Sequence, residues 1–330
     1  MYKFEDLRRL EIEPTNVCQA RCPQCLRTPA DGTVNRTLKD ELSLDLIKQQ
    51  IPVEFWQRLT SINFQGSTGD ALAYSNLVEM IQYMKQYTSA QFSIHTNGGL
   101  GSRATWQGLA EVLNTNDKVI FGIDGLADTN HLYRVGVDFA TVFKNANTFI
   151  NAGGSAHWQY ITFKHNQHQV QIAEALSKEL GFKSFYLRTS GRFTNTNYQD
   201  VYVDGQVTHR IKPSNIAFDQ PVHFEHKLKS NIKSAKISCE AIHTKWVAIY
   251  ADGTVWPCCH LMGWHQTHTH NISKLINRKL DDVIEDYANI SLHTHTLEEI
   301  INSPVFQTNY PASFDSAQPI PVCVSHCRQQ

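Results

Sequence analysis

Three cysteines close to the start of the chain, Cys18, Cys22 and Cys25, form a C-x3-C-x2-C motif. Three thiolates can hold three irons of a four-iron cubane cluster and leave the fourth iron open, whereas clusters that only carry electrons usually have four cysteine ligands. An open iron can bind a substrate. The same compact spacing also suits zinc if a distant His or Cys completes the site. The motif therefore predicts a metal centre, with iron-sulfur and zinc as alternatives.

The other five cysteines lie near the other end of the chain, and none occurs between Cys25 and Cys239. Apolar runs on either side of an Asp-Gly turn predict a β-hairpin over residues 246–256. Four thiols form a set that suits an iron-sulfur cluster or structural zinc. This set is Cys239, Cys258, Cys323 and Cys327. The role of Cys259 stays open, because adjacent residues rarely both reach one metal centre.

Short β-rich runs alternate with helical patterns from residue 8 to about 190, which predicts parallel βαβ units. A helix is predicted over residues 75–87, where four apolar side chains have the i, i+3, i+4, i+7 spacing of one face. The predicted strands are Arg9–Glu13, Ser61–Gln65, Gln91–His95, Val119–Ile123, His157–Phe163 and Ser184–Arg188. In parallel βα folds the ligand lies at the carboxyl ends of the strands. The residues after each strand are therefore the candidates for a site.

Polar and glycine residues follow the second and third predicted strands. Gly69 and Asp70 end a Gly-Ser-Thr-Gly-Asp segment, in which glycine permits a close backbone approach and the carboxylate suits an ammonium group. Thr96 and Asn97 begin a Thr-Asn-Gly-Gly segment after the third strand. Either segment could instead be only a turn.

Charged residues follow the fourth and sixth predicted strands. Asp124 ends the fourth strand, and Arg134 follows ten residues later with a guanidinium that can bind a carboxylate through two hydrogen bonds. Arg188 ends the sixth strand and could contact a cofactor or an anionic substrate. The alternatives are that Asp124 shapes a turn or faces the substrate, and that Arg188 is a surface residue.

The C-x3-C-x2-C motif after the first strand resembles the signature of the radical S-adenosylmethionine (radical SAM) superfamily. The C-x13-G-x4-C spacing from Cys239 to Cys258 resembles the SPASM/twitch extension of that superfamily. The resemblance implies an α/β protein with a partial (β/α)6 barrel over residues 1–190 and a connecting segment over 191–236. It further implies a small β-hairpin and helical cluster-binding extension over 237–330.

The resemblance also implies a chemistry. A [4Fe-4S] cluster on Cys18, Cys22 and Cys25 would bind SAM, and an electron from an external reductant would cleave SAM to a 5'-deoxyadenosyl radical. That radical would abstract hydrogen from a peptide or a small metabolite. A second [4Fe-4S] cluster would lie on the four C-terminal cysteines.

Individual residues match the SAM-binding segments of the superfamily. Gly69 and Asp70 correspond to the segment that binds the SAM amino group, and Arg134 to an arginine that meets the SAM carboxylate. Thr96, Asn97, Asp124 and Arg188 are further candidate contacts with SAM or the substrate. One departure is Gln24, since the residue before the third cysteine is commonly aromatic, and this predicts weaker packing around the adenine.

Composition limits the other possibilities. A formal net charge of −1 and a pI near 7.0 favour neither nucleic acid nor an anionic membrane as a partner. We find no apolar stretch of membrane-spanning length and no apolar signal core, and predict a cytoplasmic protein with reduced thiols. The main alternative is a non-catalytic iron-sulfur or zinc protein for electron transfer or sensing. A methyltransferase that uses SAM is a more remote alternative.

Overall fold

The computed structural model of the chain describes residues 1–28, 39–193, 197–216, 236–268, 280–315 and 319–327. The strands are β1 Arg9–Ile12, β2 Ser61–Phe64, β3 Gln91–Thr96, β4 Lys118–Gly122, β5 Ala156–Thr162, β6 Ser184–Thr189, β7 Gln199–Val203, β8 Gln206–Ile211, β9 Trp246–Ile249 and β10 Val255–Trp256. The α-helices are α1 Leu44–Gln50, α2 Val53–Arg58, α3 Leu77–Lys85, α4 Arg103–Val112, α5 Asn130–Tyr133, α6 Phe139–Asn151, α7 Val170–Glu179, α8 Glu240–Thr244, α9 Cys259–His268, α10 Leu297–Asn302, α11 Tyr310–Phe314 and α12 Pro321–Cys327.

One eight-stranded sheet carries the fold. Its strand order is β10-β9-β1-β2-β3-β4-β5-β6, and the six strands β1 to β6 are parallel, each to its neighbour. These are the six strands predicted from the sequence, with bounds that differ by one residue at either end. The (β/α)6 arrangement is therefore confirmed.

Helices cover one face of the sheet. The predicted helix over 75–87 is α3, and its apolar side chains Leu77, Met80, Ile81 and Met84 are all buried. On β4, Phe121 packs outward against Trp106 of α4, with ring centroids 5.2 Å apart. The residues that alternate with these outward apolar side chains face the inside of the curved sheet, and many of them are polar. The ligand site is therefore expected on this inner face.

The C-terminal hairpin was predicted within a separate extension, but it joins the main sheet. β9 pairs with β1 in parallel, with Glu11 opposite Ala248, and β10 pairs antiparallel to β9. Local sequence patterns do not report such long-range pairing. The loop with Cys18, Cys22 and Cys25 follows β1, and Cys258 follows the neighbouring hairpin of β9 and β10, so the pairing brings these two segments to one edge of the sheet.

Residues 191–236 were predicted as a connecting segment. In its described part, 197–216, the strands β7 and β8 form an antiparallel hairpin, while residues 217–235 lie outside the described residues. The hairpin reaches the first cysteine loop, where Gln199 Nε2 donates to the backbone oxygen of Pro23 at 2.5 Å. Among the described residues, none of the helices has the length and apolar character needed to cross a membrane.

Candidate functional site

The three N-terminal cysteines lie on the loop that follows β1, which we call the cluster loop (residues 13–28). Cys22 is buried, Cys18 and Cys25 are partly buried, and none of the three is in a disulfide. Burial raises the pKa of Cys22 to about 11 although Arg134 opposes this effect, so metal binding has to displace thiol protons. Arg27 closes the loop by donating two hydrogen bonds to the backbone oxygen of Cys18, at 3.1 and 3.2 Å.

Glu13, at the start of the cluster loop, is a buried carboxylate that holds the segment after β2. It accepts hydrogen bonds from the backbone N–H of Ser67 at 2.6 Å and of Thr68 at 3.2 Å. Thr68 Oγ1 also donates to Glu13, at 3.0 Å. Burial raises the pKa of Glu13, and these donors oppose that rise by stabilising the ionised form. Sequence reasoning missed Glu13, because its partners lie more than fifty residues away.

Gly69 and Asp70 lie where the segment after β2 meets the cluster loop. A Cβ atom at position 69 would lie 1.9 Å from the backbone oxygen of Thr15, so this approach requires glycine. Asp70 is buried, and its carboxylate accepts hydrogen bonds from Thr96 Oγ1 at 2.9 Å and from the N–H of Asn97 at 2.8 Å. Its protein partners thus tie β2 to β3, and its contact with the SAM amino group stays a prediction.

Asn97 connects β3 to the cluster loop. Its Nδ2 lies 3.5 Å from Cys18 Sγ, and its Oδ1 accepts a hydrogen bond from Gln19 Nε2 at 2.7 Å. Hydrogen bonds to a ligand sulfur tune the reduction potential of an iron-sulfur cluster. Asn97 therefore lies next to the sulfur of a predicted cluster ligand.

Asp124 and Arg134 form a buried ion pair beside the cluster loop. Arg134 Nε donates to Asp124 Oδ2 at 2.7 Å, and the other carboxylate oxygen accepts from the N–H of Ile161 at 2.6 Å. Burial disfavours the charged form of Arg134, but Asp124, Cys22 and Tyr133 together outweigh this effect and raise the pKa of the guanidinium. Arg134 Nη1 lies 3.9 Å from Cys22 Sγ. A Cβ atom at Gly122 would lie 2.5 Å from Arg134 Nη2, so the glycine leaves room for the guanidinium.

One cavity at the carboxyl ends of the strands brings most of these groups together. All three cysteines of the cluster loop line it. Five of the seven predicted cofactor contacts also line it, and these are Gly69, Asp70, Thr96, Asn97 and Arg134. Asp124 lies behind Arg134, and Arg188 is exposed on β6 and is not part of the lining.

The four C-terminal cysteines also converge. Cys239 directly precedes α8, at its N-cap position, and its thiol hydrogen-bonds to Cys327. The N–H of Ser238 donates to the backbone oxygen of Cys327 at 2.7 Å. Burial first, and then the nearby Cys258 and Cys327, raise the pKa of the Cys323 thiol, and the helices that begin after Cys258 and end at Cys327 are in contact. These contacts fit the predicted four-thiolate set.

A family model for an iron-sulfur cluster-binding domain, SPASM, matches residues 239–328. Among solved structures, Streptococcus suis SuiB bound to S-adenosylmethionine is similar with a TM-score of 0.54 and 16% identity, over 85% of this chain and 66% of SuiB. SuiB bound to precursor peptide SuiA gives a TM-score of 0.51 and 15% identity, over 78% of this chain and 60% of SuiB. Native anSMEcpe with bound AdoMet and Cp18Cys peptide gives 0.53 and 14% identity, over 96% of this chain and 94% of anSMEcpe. No curated protein matches the chain.

SuiB and anSMEcpe are radical SAM enzymes. The chain shares the fold of these two enzymes, and its residues 239–328, which we call the SPASM domain, match the SPASM family model. It spans about two thirds of the length of SuiB or less. At these identities the likeness to solved structures establishes the fold.

The SPASM domain contains all four of the predicted C-terminal ligands. In the described residues, no three or more His, Cys, Asp or Glu side chains form a group that could hold a metal ion. This finding applies equally to zinc and to an iron-sulfur cluster, so it does not separate the two alternatives. Iron-sulfur binding by the SPASM domain as a family supports the cluster alternative, and the number of clusters stays a prediction.

Cys259 of the SPASM domain lies against Glu11 of β1, through its thiol and its backbone N–H. Glu11 is buried and also accepts a hydrogen bond from Gln65 Nε2 at 3.1 Å. Burial raises the pKa of Glu11 to about 7, and Cys259 and Gln65 oppose this rise. Gln65 lines the cavity, so this pair lies between the cavity and the SPASM domain. Sequence reasoning left Cys259 open and missed Glu11.

Arg192, four residues beyond Arg188, lines the cavity that Arg188 does not. It donates to the backbone oxygen of Gln24 at 2.7 Å, and Ser190 Oγ donates to Gln24 Oε1 at 2.5 Å. Gln24 is buried by these contacts. The residue that departs from the aromatic pattern of radical SAM proteins thus joins the cluster loop to the segment after β6. In the sequence, only its position after a predicted strand marks Arg192 as a candidate site residue.

Proposed function

We propose that the chain is a radical SAM enzyme. Cys18, Cys22 and Cys25 hold three irons of a [4Fe-4S] cluster whose open iron binds SAM. One electron from an external reductant then cleaves SAM to methionine and a 5'-deoxyadenosyl radical, which abstracts a hydrogen atom from the substrate. The protein acts in the cytoplasm, where a reducing environment suits its eight free cysteines.

The observation that carries the proposal is the shared cavity. The three thiols, the Gly69 and Asp70 segment and the Arg134 guanidinium all line it. In the proposed complex the open iron binds the amino and carboxylate groups of SAM. Arg134 is a fixed cation beside Cys22 that suits the carboxylate. A protein that only transfers or senses electrons has no use for such a polar cavity, which disfavours the main alternative.

The SPASM domain holds a second [4Fe-4S] cluster in this proposal, on Cys239, Cys258, Cys323 and Cys327. The substrate is a peptide, and a small metabolite is the alternative. Support for a peptide comes from the two relatives, since SuiB was solved with precursor peptide SuiA and anSMEcpe with the Cp18Cys peptide.

The test is SAM cleavage by anaerobically reconstituted protein given SAM and a strong reductant. We expect 5'-deoxyadenosine from the wild-type protein and none from Cys18→Ala, Cys22→Ala or Cys25→Ala, because each variant lacks one ligand of the catalytic cluster. Cys259→Ala is the matched control, since it removes a thiol outside both proposed ligand sets. Cleavage that persists in any of the three cluster-loop variants would contradict the proposal.

A further inference from the structure

The side-chain amide of Asn97, beside the cluster loop, is held in one orientation. Asn97 is 5% exposed, and its Oδ1 accepts hydrogen bonds from Gln19 Nε2 at 2.7 Å and from the N–H of Gly99 at 2.9 Å. Its own backbone N–H donates to Asp70 Oδ2 at 2.8 Å. An amide oxygen can accept from two donors and an amide nitrogen cannot, so these contacts identify the oxygen. The nitrogen is therefore the atom that is directed at Cys18.

The two hydrogens of Asn97 Nδ2 have two neighbouring acceptors. Gln19 Oε1 lies 3.4 Å from this nitrogen and Cys18 Sγ lies 3.5 Å from it. The first distance exceeds the usual range of N–H···O bonds, about 2.7–3.2 Å. Sulfur is a larger atom than oxygen and allows a longer bond. The sulfur is therefore the better placed of the two acceptors.

Iron binding would strengthen the contact between Asn97 and Cys18. The Cys18 thiol can donate to Gln19 Oε1 at 3.7 Å, but a cysteine binds iron as a thiolate, which has lost this proton. The sulfur is then only an acceptor and carries negative charge. Hydrogen bonds to charged acceptors are roughly twice as strong as those between neutral groups. The burial of Asn97 also excludes the water that would compete for the sulfur.

Arg134 also lies near a cluster-loop sulfur, with its Nη1 3.9 Å from Cys22 Sγ. Its guanidinium already donates to Asp124, and in the proposed complex it faces the SAM carboxylate. Its effect on a cluster is therefore mixed with SAM binding. The Asn97 amide contacts its sulfur in the absence of SAM, so its effect can be measured without SAM.

We propose that Asn97 raises the reduction potential of the SAM-binding cluster through an N–H···S hydrogen bond to Cys18. The inference rests on the proposed function and adds a positioning residue to that site. Reduction places one electron on the cluster, from [4Fe-4S]2+ to [4Fe-4S]+, and makes its sulfur atoms more negative. The donor stabilises the reduced cluster more than the oxidised one. A weaker reductant can therefore supply the electron that cleaves SAM.

The experiment is an anaerobic redox titration of the reconstituted protein without SAM, followed by electron paramagnetic resonance (EPR). The signal that Cys18→Ala loses identifies the cluster of the cluster loop. We expect Asn97→Ala to shift the reduction equilibrium about tenfold towards the oxidised cluster, as the loss of one hydrogen bond to a charged group provides. This shift is a potential lower by about 59 mV for one electron. Asn97→Asp keeps the acceptor for Gln19 and Gly99 but loses the donor, and should lower the potential at least as far.

Asn145→Ala is the matched control. Asn145 is buried, and its Nδ2 donates to the backbone oxygens of Gly98 at 2.8 Å and of Leu100 at 3.0 Å. It thus supports the same segment through contacts with backbone oxygens, and its variant should keep the wild-type potential. An unchanged potential in both Asn97 variants would overturn the inference. An equal shift in Asn145→Ala would also overturn it, since the shift would then come from support of the segment.

A measurement on the wild-type protein decides the case in which the Asn97 variants bind no iron. Protein labelled with nitrogen-15 in its asparagine side chains should show a coupling of that nucleus to the reduced cluster in pulsed EPR. Absence of the coupling would overturn the inference. Weaker SAM binding by Asn97→Ala with an unchanged potential would overturn it as well, because Asn97 would then act on SAM instead of the cluster.

Measurement of 5'-deoxyadenosine in the same samples, after addition of SAM, separates the two proposals. Wild-type protein that shows the coupling and the potential shift but releases no 5'-deoxyadenosine would refute the radical function. Asn97 would then remain a residue that sets the potential of an electron-transfer cluster. A cluster loop that binds zinc and no iron would refute both proposals.

Discussion

The buried Asp124–Arg134 ion pair predicts a large loss of folding stability when its negative charge is removed. In Asp124→Asn the side chain keeps its shape, but the charge opposite Arg134 is lost. The guanidinium then remains beside Cys22 without its counter-ion, at a place where Asp124 has no exposed side-chain surface and Arg134 has 17%. Breaking a buried pair by removing one partner typically costs about 3–5 kcal/mol.

The chain contains a matched pair in an exposed setting. Arg210 Nε lies 2.6 Å from Asp200 Oδ1, compared with 2.7 Å in the buried pair, but the Arg210 and Asp200 side chains are 48% and 27% exposed. Exposed pairs contribute at most about 1 kcal/mol. At an effective dielectric constant near 20, two charges about 4 Å apart interact by about 4 kcal/mol. We therefore expect Asp124→Asn to lower the free energy of unfolding by about 3 kcal/mol, and Asp200→Asn by less than about 1 kcal/mol.

The assay is urea unfolding of the cluster-free protein at neutral pH, followed by tryptophan fluorescence. The difference between the two variants should be about 2 kcal/mol, or roughly thirtyfold in the unfolding equilibrium. Equal losses of unfolding free energy in both variants, with an unchanged slope of that free energy against urea concentration, would show that burial does not govern the contribution of this pair to stability.

Three further predictions concern backbone contact, pH and the second cluster. Gly69→Ala should prevent iron loading of the cluster loop, since its Cβ would overlap the loop backbone, while Gly108→Ala, on α4 with its nearest contact at 3.4 Å, should load fully in an iron assay. Burial lowers the pKa of His95 to about 4 in the folded protein. His95 of the unfolded chain is therefore protonated first as pH falls below about 6.5. Unfolding free energy should therefore fall between pH 6.5 and pH 4, by about 2 kcal/mol less at pH 5 in His95→Gln than in the wild type, and equal falls would contradict this assignment. Cys323→Ala should lose about four irons per chain and keep the first cluster, while Cys259→Ala should lose none; unchanged iron in Cys323→Ala would favour zinc at the C-terminal site.

Sequence patterns predicted the parts of the fold that depend on local order. Alternating β-rich and helical runs located β1 to β6, and apolar spacing located α3, because periodicity reports which side of an element is buried. The cysteine spacings located both groups of thiols for a similar reason, since ligands of one centre often lie on one loop. Gly69 was chosen as a candidate SAM contact because of its place after a strand, but its close approach to the backbone of the cluster loop was not predicted.

Contacts between distant parts of the chain were beyond prediction. The pairing of β9 with β1 joins residues more than 230 positions apart, and no local pattern specifies it. Glu13 was not singled out, since a carboxylate in a loop has no distinctive spacing. Arg188 was singled out because it ends the predicted strand, whereas Arg192 was not considered; Arg192 lines the cavity and donates to the backbone oxygen of Gln24.

The ladder between β9 and β1 limits how far this protein can be treated as two modules. The SPASM match begins at residue 239, and a cut there would appear natural from the sequence. It would remove β9 and expose the whole edge of β1, from Arg9 to Ile12, directly before the cluster loop. An open edge of this kind pairs readily with other chains and aggregates. For exchange between proteins of this fold, the natural unit is therefore the β1–β9 pair with both of its loops, and the sequence domain is only a part of it.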